Sequence, residues 1–471
     1  MNPDYRLFCH MGKIGGGKKI RVFLLTIVLA VLVYGIVFVS KAIPILSGFG
    51  AKTLCSCVYL SNRSPSDVIS KELGAMPLSL GSFSIHNGDS SATGSVLGMA
   101  PRKAIYREGL GCTLVSELIE EQIRSELPRL LSSGNHGDTA LAPGFQLKDS
   151  LLSLAQAAKL NTAVSEAFRE KGTDTLRRSR AVIVLHKGKI VAERYGDGFN
   201  QQTRHTGWSM TKSINSALIG ILVKQGRLNI TDHNLFPEWS NDKRKNITID
   251  QLLHANSGLK WDEEYATPSP ATNMLFMQSD MGRYASSYEL EFEPGTRFEY
   301  SSGSANMLAY IIRTRTGSAY YQFPYDELFR KIGMSGAVME PDASGTFVGS
   351  SYCFATPRDW ARFGLLYLND GVANGERILP MGWVSYTTTP AKGALLGEYG
   401  AQFWLNAGAP GDPARRSYPS VPADCFWADG YEGQSIWIIP SKQLVVVRLA
   451  LQQGNRLNED QFLAEIIAAL N

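Results

Sequence analysis

Ser209 and Lys212, in the string Trp208-Ser209-Met210-Thr211-Lys212, stand three residues apart at the head of an apolar run. Ile214, Ala217, Leu218, Ile221 and Leu222 recur behind them at helical spacing, so the segment reads as a helix with one buried stripe. Lys224 and Gly226 mark its end. Ser209 would then lie at a helix N-terminus, where backbone N–H groups and the macrodipole favour developing negative charge. Lys212 projects from the same face one turn on. A lysine held partly desolvated there would be neutral near pH 7 and could accept the serine proton, making the pair a nucleophile with its base. The same spacing at Ser240/Lys243 and Ser257/Lys260 has no apolar helix behind it and reads as background.

Two further strings supply what such a pair needs. In Glu293-Pro-Gly-Thr-Arg-Phe-Glu-Tyr300-Ser-Ser302, Tyr300 follows a turn and precedes a helix expected over Ala305–Arg313. A phenol near two ammonium groups would have a lowered pKa and could relay protons between Ser209 and a leaving group. In Asp429-Gly430-Tyr431-Glu432-Gly433-Gln434, the glycines let a backbone approach a substrate closely before the apolar strand Ser435–Ile439. The N–H groups of Ser209 and Tyr431 would then form an oxyanion hole.

The elements that must position these groups are legible from about residue 150. A helix is expected over Leu151–Glu170, a hairpin over Ala181–His186 and Lys189–Arg194, late strands over Ser435–Ile439 and Gln443–Ala450, and a last helix over Glu459–Leu470. Helices between an early and a late group of strands imply an α+β or α/β sheet with its N- and C-terminal elements brought together. Trp360, Phe363 and Tyr367 fall at helical spacing and read as core, and His254 as a local hydrogen-bonding residue at a helix end. The polar, Pro- and Gly-broken stretch 121–150 suits a linker, and residues 50–120 read as a small β-containing unit with apolar runs at Ser82–His86 and Ser95–Met99.

Composition excludes other classes. With 44% hydrophobic and 19% charged residues in 471, the chain is neither mainly disordered nor collagen-like nor coiled-coil. Its 47 basic and 43 acidic residues leave a net +4, without the dense basic patch of a nucleic-acid binder. No Gly-x-Ser-x-Gly elbow and no zinc-spaced Cys/His set occurs, and no metal or cofactor is expected.

Residues 22–39, VFLLTIVLAVLVYGIVFV, carry no charge and are near the lower length limit for a membrane span. Lys13, Lys18, Lys19 and Arg21 precede them and only Lys41 follows closely, so a stub of residues 1–21 is expected in the cytoplasm and the rest outside, with the span over 22–42. A cleaved signal peptide is the rival, but no prompt small-x-small site follows. The expected address is the cytoplasmic membrane, single-pass, with the bulk of the chain extracytoplasmic. Gly12–Lys19 has the glycine spacing of a P-loop but lacks its Ser/Thr and reads as a basic flank. In that compartment Cys112 would bridge to Cys55 or to Cys57, and the sequence leaves the choice open.

Ser209-x-x-Lys212, Tyr300-Ser-Ser302 and a Gly-rich late strand, in that order, resemble the serine β-lactamase/penicillin-binding-protein superfamily, in particular its class C-related branch with esterases and 6-aminohexanoate-dimer hydrolases. ITIDQLLHANSGLKW (Ile247–Trp261), ATPRDWARFGLLYLNDG (Ala355–Gly371) and GYEGQ (Gly430–Gln434) read like that branch. The resemblance covers residues 180–450 and implies an α+β (α/β sandwich) fold, an antiparallel sheet flanked by helices plus an all-helical subdomain, with Ser209 as acylated nucleophile, Lys212 as activator and Tyr300 as general acid/base. Tyr265 resembles a substrate-side tyrosine, and Ser302 and Gly430 would border the substrate. Ser302 stands where many relatives have Asn, and the carboxylate-binding Lys-Thr-Gly is missing where GYEGQ stands. Arg315-Thr316-Gly317 imitates that triplet at a helix end. These departures favour esters or linear amides, as small-molecule substrates, over β-lactams.

Overall fold

Gly16–Tyr59 (α1) is one continuous helix whose character changes along its length. The computed structural model describes residues 16–125, 148–149, 152–170, 172, 176–410, 412, 414–454 and 457–471. Side chains from Arg21 to Lys41 are almost all exposed, although the apolar window among them has a mean hydropathy of 3.0. From Ile43 onward the same helix is buried, with Ala51, Leu54 and Cys55 fully enclosed. Among the described residues it is the one helix long and apolar enough to cross a membrane. The expectation of a β-containing unit from residue 50 is corrected at its start, because Ala51–Tyr59 continues α1.

Against the buried half of α1 lies a four-stranded antiparallel sheet of Gly81–His86 (β1), Ser91–Val96 (β2), Met99–Arg107 (β3) and Gly111–Val115 (β4). Within the apolar run Ser95–Met99 the chain reverses from β2 into β3: Leu97 and Gly98 both have positive φ (51° and 71°), the signature of a tight primed turn. Cys55 is bonded to Cys112, and Cys57 is a free, buried thiol. Cys57 is therefore corrected as a bridge candidate. Two residues along a helix point to different sides, so only one of the pair can face β4. Burial and the Glu72 carboxylate push the Cys57 thiol up to about 12.

The rest of the chain is a sheet between helices. Leu154–Phe168 (α2) opens on a Ser153 capping box, and Ser179–His186 (β5) and Lys189–Tyr195 (β6) form the expected hairpin. Thr211–Lys224 (α3), Ser302–Thr316 (α4) and Pro357–Leu368 (α5) follow. The chain closes with Phe426–Gly430 (β7), Gln434–Ile439 (β8), Leu444–Ala450 (β9) and Glu459–Leu470 (α6). The sheet order is Trp404–Leu405, β7, β8, β9, β5, β6, Lys148–Asp149, antiparallel except at the last strand. Early and late segments therefore meet at the β5–β9 pairing, as the sequence implied.

Period-two alternation sorts each strand's residues between two cores. Ile183, Leu185, Ile436, Val445 and Val447 join the core under α5, while Val182, Val184, Trp437 and Val446 join the core under α2 and α6. Gly364 on α5 shows how close that packing is: a Cβ there would stand 2.6 Å from Val445 Cγ1. Of the linker expected over 121–150, residues 121–125 end the short helix Glu120–Ser125 and 148–149 form the edge strand. Residues 126–147 and 150 lie outside the described residues.

The small sheet does not stand apart from this body. Lys52 on α1 forms a buried ion pair with Glu340, whose carboxylate also accepts from Ser56 Oγ (2.9 Å) and Cys112 N (2.6 Å). Arg204 donates to Leu60 O and Arg178 to Lys71 O. One apolar core runs from Leu54 and Leu114 through to Ile214 and Leu308.

Candidate active site

The chain turns into α3 through a single 3-10 turn, Trp208–Met210, so Ser209 sits just ahead of the helix proper. Trp208 has φ 45°, a left-handed conformation that a large L-residue adopts at a cost of roughly 1–3 kcal/mol. Its ring is held on three sides, stacked on Phe49 of α1 (6.1 Å between centroids), tilted on Tyr352 (5.9 Å) and edge-on to Tyr431 (5.8 Å). Those contacts fix the backbone immediately before the nucleophile candidate. Ser209 itself remains partly exposed.

Lys212 is buried, with 1% of its surface exposed. Its Nζ donates to Ser209 Oγ (2.9 Å), Ser302 Oγ (2.9 Å) and Ser350 O (3.1 Å). Desolvation lowers its pKa to about 8, against an opposing pull from the Glu263 carboxylate. With that pKa about a tenth of the lysine is neutral at pH 7 and half at pH 8, short of the fully neutral amine expected from sequence, and the neutral form is the state that can remove a proton from Ser209. Ser350 is held in turn by Asn306, which accepts from Ser350 N (3.1 Å) and donates to Ser350 Oγ (3.2 Å).

Tyr300 lies against this pair, with Lys212 Nζ 4.9 Å from its ring centroid and its hydroxyl engaged with the Ser209 side chain. The expected lowering of its pKa is corrected. Burial, Tyr399 and Glu263 hold the phenol well above its ordinary value. The Lys212 ammonium lies against the ring face. Tyr300 is therefore a protonated phenol, able to donate but not poised as a phenolate. It precedes Ser301, whose side chain caps α4 by accepting from Ser304 N.

Ser302 and Tyr265, the substrate-side candidates, are brought together: Tyr265 Oη and Ser302 Oγ are 3.1 Å apart. Glu263 ties them to the lysine. Its carboxylate accepts from Ser302 Oγ, Ser302 N (2.9 Å), Tyr265 Oη (2.8 Å) and Trp261 Nε1 (2.6 Å). Gly430, at the end of β7, comes so close to the turn that a Cβ would lie 2.1 Å from Gly207 O. Only glycine permits that approach, and it sets the Gly430–Gly433 turn, with Tyr431 and its half-exposed ring, beside Trp208 and Ser209. His254 donates or accepts locally at the end of its own helix, and Trp360, Phe363 and Tyr367 are core.

Residues 164–469 match the family model described as Beta-lactamase. This chain belongs to the beta-lactamase family. It is 26% identical over 296 residues to a 6-aminohexanoate-dimer hydrolase from Paenarthrobacter ureafaciens, covering 57% of this chain and 72% of that protein. Among solved structures it resembles a candidate 6-aminohexanoate-dimer hydrolase from Bacillus anthracis, with TM-score 0.55, 22% identity, and 69% and 86% of the two chains covered. It also resembles a penicillin-binding protein homologue from Caulobacter crescentus, with TM-score 0.52, 17% identity, and 68% and 98% covered. The β-lactamase-like mixed fold expected from sequence is thus shown, and the chain is a β-lactamase-fold hydrolase related to aminohexanoate-dimer hydrolase. The family match takes in every candidate catalytic residue and leaves out α1 and β1–β4.

Three members of this site went unremarked in the sequence. Glu263 lies inside the string that drew attention to Tyr265, and a carboxylate two residues from a candidate tyrosine was the available signal. Ser350 acts through a backbone carbonyl, which no side-chain pattern reveals. Phe49 comes from α1, about 160 residues before Trp208, and only the tertiary fold brings them together.

Proposed function

We propose that this protein is a membrane-anchored serine hydrolase that cleaves ester or linear amide bonds of a small molecule through an acyl-enzyme on Ser209. The buried Lys212, 2.9 Å from Ser209 Oγ and lowered to about 8, is the observation that carries the reading. Neutral Lys212 takes the Ser209 proton as Oγ attacks the acyl carbonyl. The oxyanion accepts hydrogen bonds from the N–H groups of Ser209 and Tyr431. Tyr300 gives its proton to the departing alcohol or amine and is reprotonated from Lys212. Water then repeats the attack on the acyl-enzyme and releases the acid. Tyr265, Ser302 and Gly430 border the substrate.

Support for linear substrates comes from the similarity to a protein named as a 6-aminohexanoate-dimer hydrolase and from the absence of a Lys-Thr-Gly triplet at the head of β8. In this reading residues 151–471 are the hydrolase, the exposed apolar half of α1 spans the cytoplasmic membrane over 22–42, and the excess of Lys and Arg before it keeps residues 1–21 in the cytoplasm.

The test is turnover of an aryl ester, a linear aliphatic amide and a penicillin by the full chain and by Ser209→Ala. Ester or amide hydrolysis lost in the variant is the expected result. A long-lived penicillin adduct without ester or amide turnover would mark a cell-wall peptidase or weak β-lactamase instead, and no reaction with any of the three would mark a binding protein.

A further inference from the structure

The β2–β3 hairpin gives the small sheet a direction along α1. At its upper end Tyr106 of β3 stacks on Tyr59 (5.0 Å between centroids), and Cys112, paired with Tyr106, is bonded to Cys55. Lower down, Gly94, paired with Arg102, meets α1 at Ser47, whose carbonyl would lie 2.7 Å from a Cβ at Gly94. From Tyr106 to Arg102 the sheet therefore descends α1 from the level of Cys55 and Tyr59 toward Ser47. Met99 pairs with Val96, two residues beyond Gly94 across a register shift, and so stands about 7 Å lower at about 3.3 Å per residue, which corresponds to about four helical residues. That is near Ile43, about 6 Å above Val39, where the exposed apolar stretch of α1 ends.

The tip that reaches this level is apolar and uncovered. Leu97 is 61% exposed, Met99 47% and Leu80 44%. Leu97 N donates to Leu80 O, and Val96 pairs with both Gly81 and Met99, so the three residues lie together at this end of the sheet. Lys41 is exposed at the same height, as suits a residue among lipid headgroups. The opposite end of the sheet, the turn after His86, is polar: His86, Asn87, Gly88 and Asp89.

We propose that Leu80, Leu97 and Met99 form a seat that dips into the bilayer interface next to α1, so that the catalytic body rests on the membrane rather than swinging from it. The occupant is the lipid surface itself, because the patch adjoins the apolar segment that enters it. The seat has a consequence for the active site. Phe49, stacked on Trp208, lies ten residues above Val39, so the nucleophile's neighbour is held about 15 Å from the end of the exposed apolar stretch. The proposal rests on the reading of α1 as a membrane anchor.

The experiment uses the full chain reconstituted in phosphatidylcholine nanodiscs, with an environment-sensitive fluorophore on Leu97→Cys, Val31→Cys or Asn87→Cys and a proportion of lipid carrying a spin-label quencher, near the headgroup for positions 97 and 87 and deep in the acyl chain for position 31. Cys57, Cys353 and Cys425 are buried, and the wild-type chain treated alike supplies their background. Loss of fluorescence at positions 31 and 97 with none at 87 is the expected result. Loss at 31 alone overturns the seat and leaves the anchor standing, whereas no loss at 31 overturns both. Equal loss at 87 and 97 also overturns the seat. Met99→Cys replaces Leu97→Cys if the turn does not tolerate the change.

Discussion

In the proposed reaction Lys212 is the base on which the chemistry depends. Because its pKa lies near 8 and the neutral amine is the base, kcat/KM should rise about tenfold per pH unit below pH 8 and level off above it. A pH profile of ester hydrolysis checks this, and Lys212→Ala should lower kcat by about 10³-fold or more and remove the rising limb. Glu263 permits a sharper test. Its carboxylate favours the charged lysine, so Glu263→Gln, which keeps an acceptor for Ser302, should lower the Lys212 pKa and move the rising limb to lower pH. A limb that stays in place would mean that Glu263 only positions Ser302. Ser209, Lys212 and Tyr300 were legible in the sequence as residue types in an order. The protonation state of Tyr300 was not, because it depends on burial and on Tyr399, a residue 99 positions away.

The turn before α3 and the turn after β7 are built against each other. Gly430→Ala would push a methyl group into Gly207 O and move one turn away from the other. A displacement of that kind should lower kcat by about 10²-fold, while a packed-site overlap costs roughly 1–3 kcal/mol of stability. Steady-state kinetics beside a denaturant melt would separate the two effects. At this scale the sequence was informative wherever apolar periodicity was long: the β5–β6 hairpin, α3, α4, β8, β9 and α6 lie within a few residues of where periodicity places them. It was silent where a conformation answers to tertiary contacts. Trp208 takes a positive φ because three aromatic rings hold it, and α1 continues to Tyr59 because the small sheet covers its second half. Leu97 in a primed turn defeats the usual expectation of Asn or Gly there.

Across the whole molecule, α1 is both the exposed apolar segment and a wall of the body. The buried Lys52–Glu340 pair joins the two, so Lys52→Met should destabilise the fold by about 3–5 kcal/mol by leaving Glu340 unpaired, and Lys52→Met with Glu340→Leu should recover much of that loss in chemical denaturation. For the same reason, a chain beginning at Lys41 should fold, whereas one beginning at Leu60 should not, since Leu54 and Cys55 are fully buried. A sequence motif raised the reading of a serine hydrolase, near-balanced charge agrees with it, and the geometry around one serine is what that proposal stands on. The most direct measurement is the intact mass of the full chain after treatment with a fluorophosphonate and, separately, with an aryl ester quenched in acid. A single adduct of the expected mass that maps to the peptide containing Ser209 and disappears in Ser209→Ala is the predicted result. An adduct that persists in that variant, or that maps to another residue, would contradict an acyl-enzyme on Ser209.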